Sequence, residues 1–185
     1  EMDGLEEEGR GASSIGTTRR GIGPAYTDKA ARCGGRMVDL LDEEVLLTRL
    51  TYLVNSKNRI LTQVYGKPAL RLHEVYLEYL HYGRQLAHYI ADTRRLLMQA
   101  IRQGKNILLE GAQGVMLDLD FGTYPFVTSS SPAVGGAGTG LGLPPRAIER
   151  VLAVAKAYCT RVGAGPFPSE AAPEPAARLR EHAHE

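Results

Sequence analysis

Residues 106–114 read NILLEGAQG, and the fold class turns on how they are taken. The run NILLE, 106–110, is short, apolar and followed at once by glycine, which fits a buried strand. A second apolar run, VLAVAKAY at 151–158, leads into CTRVGAGPFP. Two apolar strands that each feed a glycine loop make the α/β pattern, where ligands bind beyond the carboxyl ends of strands. The expectation is an α/β fold containing the central portion of a mostly parallel β-sheet.

Outward from these strands the period changes to that of helices. Apolar residues at Met37, Leu40, Leu41, Leu47, Leu50 and Leu53 predict a helix over 37–53 with one buried face. Further helices are predicted over 71–82 and 93–103, the latter capped by Asp92 and stopped by Gly104. Together they form a long helical insertion. The end, EAAPEPAARLREHAHE at 170–185, is rich in alanine and proline, and Pro175 suits the first position of a helix. Residues 1–169 are read as the central part of one domain and 170–185 as an incomplete C-terminal tail. The chain starts on Glu1, not methionine, so it is expected to be processed or a piece of something longer.

Composition narrows the functional classes. The chain has 185 residues, 43% hydrophobic and 23% charged, ordinary for a globular protein. A net charge of +1 gives no field for nucleic acid. Apolar runs such as NILLE and VLAVA are far too short to cross a bilayer. The acidic start EMDGLEEEG is the opposite of a secretory signal. Cys33 and Cys159 are read as two reduced thiols.

Three glycine-bearing stretches are candidate sites. In GTTRRGIGPAYTDKAAR, 16–32, Gly16, Gly21 and Gly23 let the backbone approach a ligand and expose its amides. Thr17 and Thr18 add hydroxyls, and Arg20, Lys29 and Arg32 add charge, which are the parts of a phosphate site. A solvated turn leading into a basic helix is the competing reading. If Lys29 to Arg32 starts a helix, Lys29 and Arg32 share a face. In the second stretch, 110–131, Gln113 lies between glycines and can both donate and accept. Thr128 and Ser129 to Ser131 form a hydroxyl cluster. Asp118 and Asp120 alternate, so in an extended segment they share a face and could hold Mg²⁺; they could equally cap loops or pair with arginines, and that structural reading is preferred. The third stretch, GGAGTGLGLPP, fits neither phosphate-loop spacing. His81, His88 and Asp92 have helical spacing for a metal, but nothing else converges on them.

Three of these segments carry a resemblance. GIGPAYTDKAAR at 21–32, LLEGAQGVMLDLDFGTYPFVTSS at 108–130 and KAYCTRVGAGPFPSE at 156–170 resemble, in order, stretches of adenylosuccinate synthetases. The resemblance spans nearly the whole chain. It implies a homodimeric, cytoplasmic ligase that joins inosine monophosphate (IMP) to L-aspartate with GTP and Mg²⁺, in the first committed step of AMP synthesis. It implies that Thr18, Gln113 and Thr128 bind IMP, and that Arg32 reaches the IMP of the partner subunit. Lys29 lies within the signature segment with no role assigned. The family's GTP and metal loop with its catalytic base, its histidine acid and its later arginine-rich loop match nothing in these residues. The resemblance therefore implies no catalytic residue or metal ligand here, and doubtful activity for this chain alone. A non-catalytic nucleotide-binding or dimerisation module derived from the family is the alternative. Arg19 stands where the family usually has glycine.

Overall fold

The computed structural model describes residues 1–183; the last two residues of the expected tail, His184 among them, lie outside the described residues. Seven helices run along the described chain: α1 (Met2–Gly9), α2 (Ile22–Ala30), α3 (Glu43–Gln63), α4 (Leu72–Leu86), α5 (Thr93–Arg102), α6 (Gly135–Leu141) and α7 (Pro173–Ala183).

The best-packed part is the helical insertion. Leu46, Leu50, Val54 and Leu61 fall on one face of α3 and are buried, each contributing about 1.5–3 kcal/mol. α4 packs on α3, and both meet the short 3₁₀ turn Met37–Leu41. The approach is closest at Gly83, where a Cβ would lie 2.6 Å from the Leu40 carbonyl oxygen. Lys57 on α3 pairs with Asp28 on α2 at 2.6 Å, tying the insertion to the segment that follows the first glycine loop.

The helix predicted over 37–53 is divided in two. Asp42 adopts extended backbone, and its carboxylate accepts the Glu44 and Val45 N–H groups, both at 3.0 Å. That is an N-cap, so α3 begins at residue 43 and the preceding turn is separate. Asp92 caps α5 through the Arg95 N–H at 2.9 Å, and Gly104 follows its end at φ 64°. Pro175 does not open the last helix; Pro173 does. Nor does a helix start at Lys29. α2 ends at Ala30, and Arg32 lies beyond it at φ 62°, so Lys29 and Arg32 do not share a helical face.

Neither 106–110 nor 151–158 pairs into a β-ladder among the described residues. The reason is the absence of a partner strand: each backbone N–H and C=O of a strand needs a neighbour. Both apolar segments are left open, with Leu108 85% and Val154 97% exposed. Cys33 and Cys159 are free thiols.

Candidate functional site

The first glycine loop is held from below by α1. Asp3 and Glu7 sit one turn apart on that helix and both are buried. Asp3 accepts the Gly21 N–H at 2.8 Å and the Thr17 hydroxyl at 3.2 Å. Glu7 accepts the Gly16 N–H at 2.6 Å and the Ser14 hydroxyl. The Ser14 bond first, then the Gly16 N–H, holds the Glu7 carboxyl below the usual carboxylate range.

The loop then meets the third family-like segment. Ala164 N–H donates to the Ile15 carbonyl at 2.9 Å. A Cβ on Gly16 would stand 2.7 Å from the Gly163 Cα, so this crossing of two backbones requires glycine.

The second segment folds around Asp118, which is 1% exposed. Its carboxylate accepts N–H groups from Ala133 and Asp120, both at 3.0 Å, and from Phe121 at 3.3 Å. It is a loop cap, one of the two structural roles preferred from the sequence, and these bonds, Ala133's first, hold its carboxyl below the usual range. Thr128 N–H donates to Leu117 O at 2.9 Å and Leu119 N–H to Ser130 O at 3.2 Å, closing the loop on itself.

Arg161 joins the second segment to the third. Its Nη2 donates to Phe126 O at 2.9 Å and its Nε to Ala164 O at 3.0 Å. Ser129 in turn lies near the start of α2, its Oγ 3.7 Å from where a Gly23 Cβ would stand. Three segments far apart in sequence thus converge around residues 16–23, 126–130 and 161–165.

The expected ligands are placed as follows. Thr18 is exposed on the loop, and its hydroxyl has no partner among the described residues, whereas Thr17 is spent on Asp3. Thr128 is half-buried with its hydroxyl 3.1 Å from that of Ser130. Gln113 is exposed at φ 61°, and no hydrogen bond ties it to the convergence. Lys29 and Arg32 are exposed at the far end of α2, with Lys29 Nζ 5.5 Å from the centre of the Tyr26 ring. Asp3, Glu7 and Arg161 were not singled out by sequence reasoning. The i, i+4 spacing of Asp3 and Glu7 is the one signal in the sequence that marks them as sharing a helix face.

The family model for adenylosuccinate synthetase matches residues 1–185. The chain belongs to the adenylosuccinate synthetase family. It is 53% identical over 180 residues to adenylosuccinate synthetase of Geobacillus kaustophilus, covering 97% of this chain and 42% of that protein. It is 53% identical over 184 residues to that of Symbiobacterium thermophilum, covering 100% of this chain and 43% of the relative. A solved structure, fully ligated adenylosuccinate synthetase from Plasmodium falciparum, has a TM-score of 0.91 to it at 36% identity, over 100% of this chain and 43% of that one. The chain therefore spans less than half the length of these relatives.

Among the described residues Arg19 is one of three non-glycine residues at positive φ. It adopts φ 56°, a conformation that glycine enters without penalty. The loop nevertheless forms, with Arg19 held 3.5 Å from Glu8 by an exposed ion pair. Arg19→Gly is expected to change the stability of the fold by less than about 0.5 kcal/mol, since relief of the left-handed strain is offset by loss of the exposed pair and by the added freedom of the unfolded chain. Urea unfolding of both forms would check this; a glycine variant less stable by more than about 1 kcal/mol would show that the strain at Arg19 is smaller than these offsets.

Proposed function

We propose that residues 1–185 form the IMP-holding part of an adenylosuccinate synthetase, which ligates IMP and L-aspartate at the expense of GTP. The observation that supports this is the convergence of the three family-like segments on the loop bearing Thr18. In the proposed reaction GTP phosphorylates the purine 6-oxygen. The aspartate amine then displaces that phosphate, forming the C–N bond. Phosphorylation is needed because an amide-like oxygen leaves poorly.

In this reading Thr18, Gln113 and Thr128 hold IMP within one subunit, and Arg32 reaches the IMP of the partner in a cytoplasmic homodimer. Support comes from residue type and exposure: a free hydroxyl at Thr18, an exposed amide at Gln113 and an exposed guanidinium at Arg32. Among the described residues no helix is long and apolar enough to cross a membrane. The sheet expected of the α/β fold is proposed to be completed by the rest of the family's length, which would cover the open edges at 106–110 and 151–158. Residues 1–169 belong to that domain, with 170–185 as a tail.

Mg²⁺ and GTP are proposed for the whole enzyme. The residues here do not fit the ion: no three His, Cys, Asp or Glu side chains converge among the described residues, and Asp118 is spent on backbone N–H groups. Its ligands are proposed to lie outside this stretch.

The test places residues 1–185 into the matching stretch of the Symbiobacterium thermophilum relative and changes Thr18 or Thr128 to alanine. Each change is expected to weaken IMP binding by about 1–3 kcal/mol, as for hydrogen bonds to a charged group. Thr18→Ala should leave the ligand-free melting temperature unchanged. Thr128→Ala should lower it slightly, because the bond to Ser130 is lost as well. Unchanged IMP affinity in both variants would remove Thr18 and Thr128 from the IMP site and overturn this reading of the loop.

A further inference from the structure

We propose that Asp3 and Glu7 are positioning residues: α1 presents two buried carboxylates that take the inward donors of the 14–21 loop and so leave its outward donors for a phosphate. The inference rests on the reading of Thr18 as an IMP ligand.

The donors of the loop divide cleanly. The hydroxyls of Ser14 and Thr17 and the N–H groups of Gly16 and Gly21 go to the two carboxylates, and the Ser14 N–H goes to the Gly11 carbonyl. The Arg19 N–H goes to Thr17 Oγ1 at 3.4 Å. What lacks a partner among the described residues is the Thr18 hydroxyl and the N–H groups of Thr17, Thr18 and Arg20. Those groups cluster on the stretch that carries Thr18.

A buried negative charge beneath an anion site opposes binding by simple Coulomb repulsion. Here each carboxylate accepts two donors of the loop, which disperses part of that charge, and charge-assisted bonds are the strong ones. What the arrangement adds is rigidity. Gly16 at φ 79° and Gly21 at φ 82° have many alternative conformations. Anchoring both their N–H groups to one rigid helix face removes those alternatives before the ligand arrives. The ordering cost on binding falls accordingly. Asp3 also fixes where α2 begins, since Gly21 is its N-cap and brings no capping side chain of its own.

The experiment uses the same full-length chimera with Asp3→Asn, Glu7→Gln and Thr18→Ala. Calorimetry compares IMP with inosine, which lacks the phosphate, at temperatures where every variant is folded. Both carboxylate variants are expected to lose about tenfold in IMP affinity, with inosine within about twofold of wild type. Equal losses for both ligands, or a lower melting temperature with IMP affinity unchanged, would overturn the positioning role. Thr18→Ala separates the two readings. If it alone weakens IMP, only the positioning role fails; if it too is silent, the phosphate loop fails and the positioning role with it. Amide exchange in the unmutated chimera needs no variant. Gly16 and Gly21 should be protected without ligand, whereas Thr18 and Arg20 should become protected on adding IMP but not inosine. Rapid exchange at Gly16 and Gly21 in the free protein would overturn the proposal.

Discussion

In the homodimer proposed for the full-length chimera, a heterodimer with Arg32→Leu on one subunit and Thr18→Ala on the other is expected to recover about half of the unmutated chimera's activity, although each homodimer is impaired about 10- to 100-fold. The reasoning starts from where Arg32 stands. α2 has nine residues, so it is about 13 Å long. Thr18 precedes its first turn and Arg32 follows its last. The two therefore sit at opposite ends of a rigid element, an awkward arrangement for gripping one phosphate within a subunit. The nearest carboxylate in sequence, Asp28, is already taken by Lys57 at 2.6 Å, and Arg32 has no ion-pair partner among the described residues. Its backbone is held at φ 62°, with Arg32 N–H on Lys29 O and Cys33 and Gly34 N–H groups on Asp28 O. A non-glycine residue kept in that conformation costs of order 1 kcal/mol, and such strain collects at functional positions. If Arg32 crosses the two-fold axis, the mixed dimer has one intact site and one with both defects. If it serves its own subunit, both mixed sites keep one defect. Activity of the isolated heterodimer decides between these outcomes, and a persistently low value would refute the crossing.

Asp118→Ala is expected to lower the melting temperature on the order of 2–5 °C in the full-length chimera. The side chain is 1% exposed and holds three N–H groups that have no other acceptor. Removing it leaves buried donors unmatched, which is among the more damaging kinds of substitution. Because Thr128 and Ser130 belong to the same closed loop, IMP binding should weaken too. Asp118→Asn should be intermediate, keeping one acceptor while its amide group opposes an N–H. The acid limb gives a second check. The native carboxyl lies below its ordinary value, so its stabilisation is fully present above the unfolded value, near 4, and is lost as pH falls through the native one. Wild type should therefore lose stability below about pH 4 more steeply than Asp118→Asn. A melting temperature unchanged by either substitution would mean that the loop does not depend on this carboxylate.

What the sequence determined by itself was local or motif-borne. The family could be read from three ordered segments, because long matches of specific residues do not depend on knowing how they meet. The caps at Asp92 and Gly104 were legible, since a cap acts within one turn of its own position. Asp118 as a loop cap was legible for the same reason, being close in sequence to Asp120 and Phe121. Asp42 was missed because apolar spacing alone ran straight through it.

Only the tertiary structure decided the rest. Asp3 and Glu7 look like any acidic helix until a loop up to eighteen residues away is laid on them. Arg161 looks like a loop arginine until Phe126 and Ala164 turn their carbonyls to it. The difference between Thr17 and Thr18, adjacent and chemically identical, exists only once one hydroxyl meets Asp3 and the other meets solvent. The strands expected at 106–110 and 151–158 show the same limit from the other side. Apolar period marks a segment fit to be buried, but a ladder is a relation between two segments, and hydrogen bonds across it form only where a partner backbone is present.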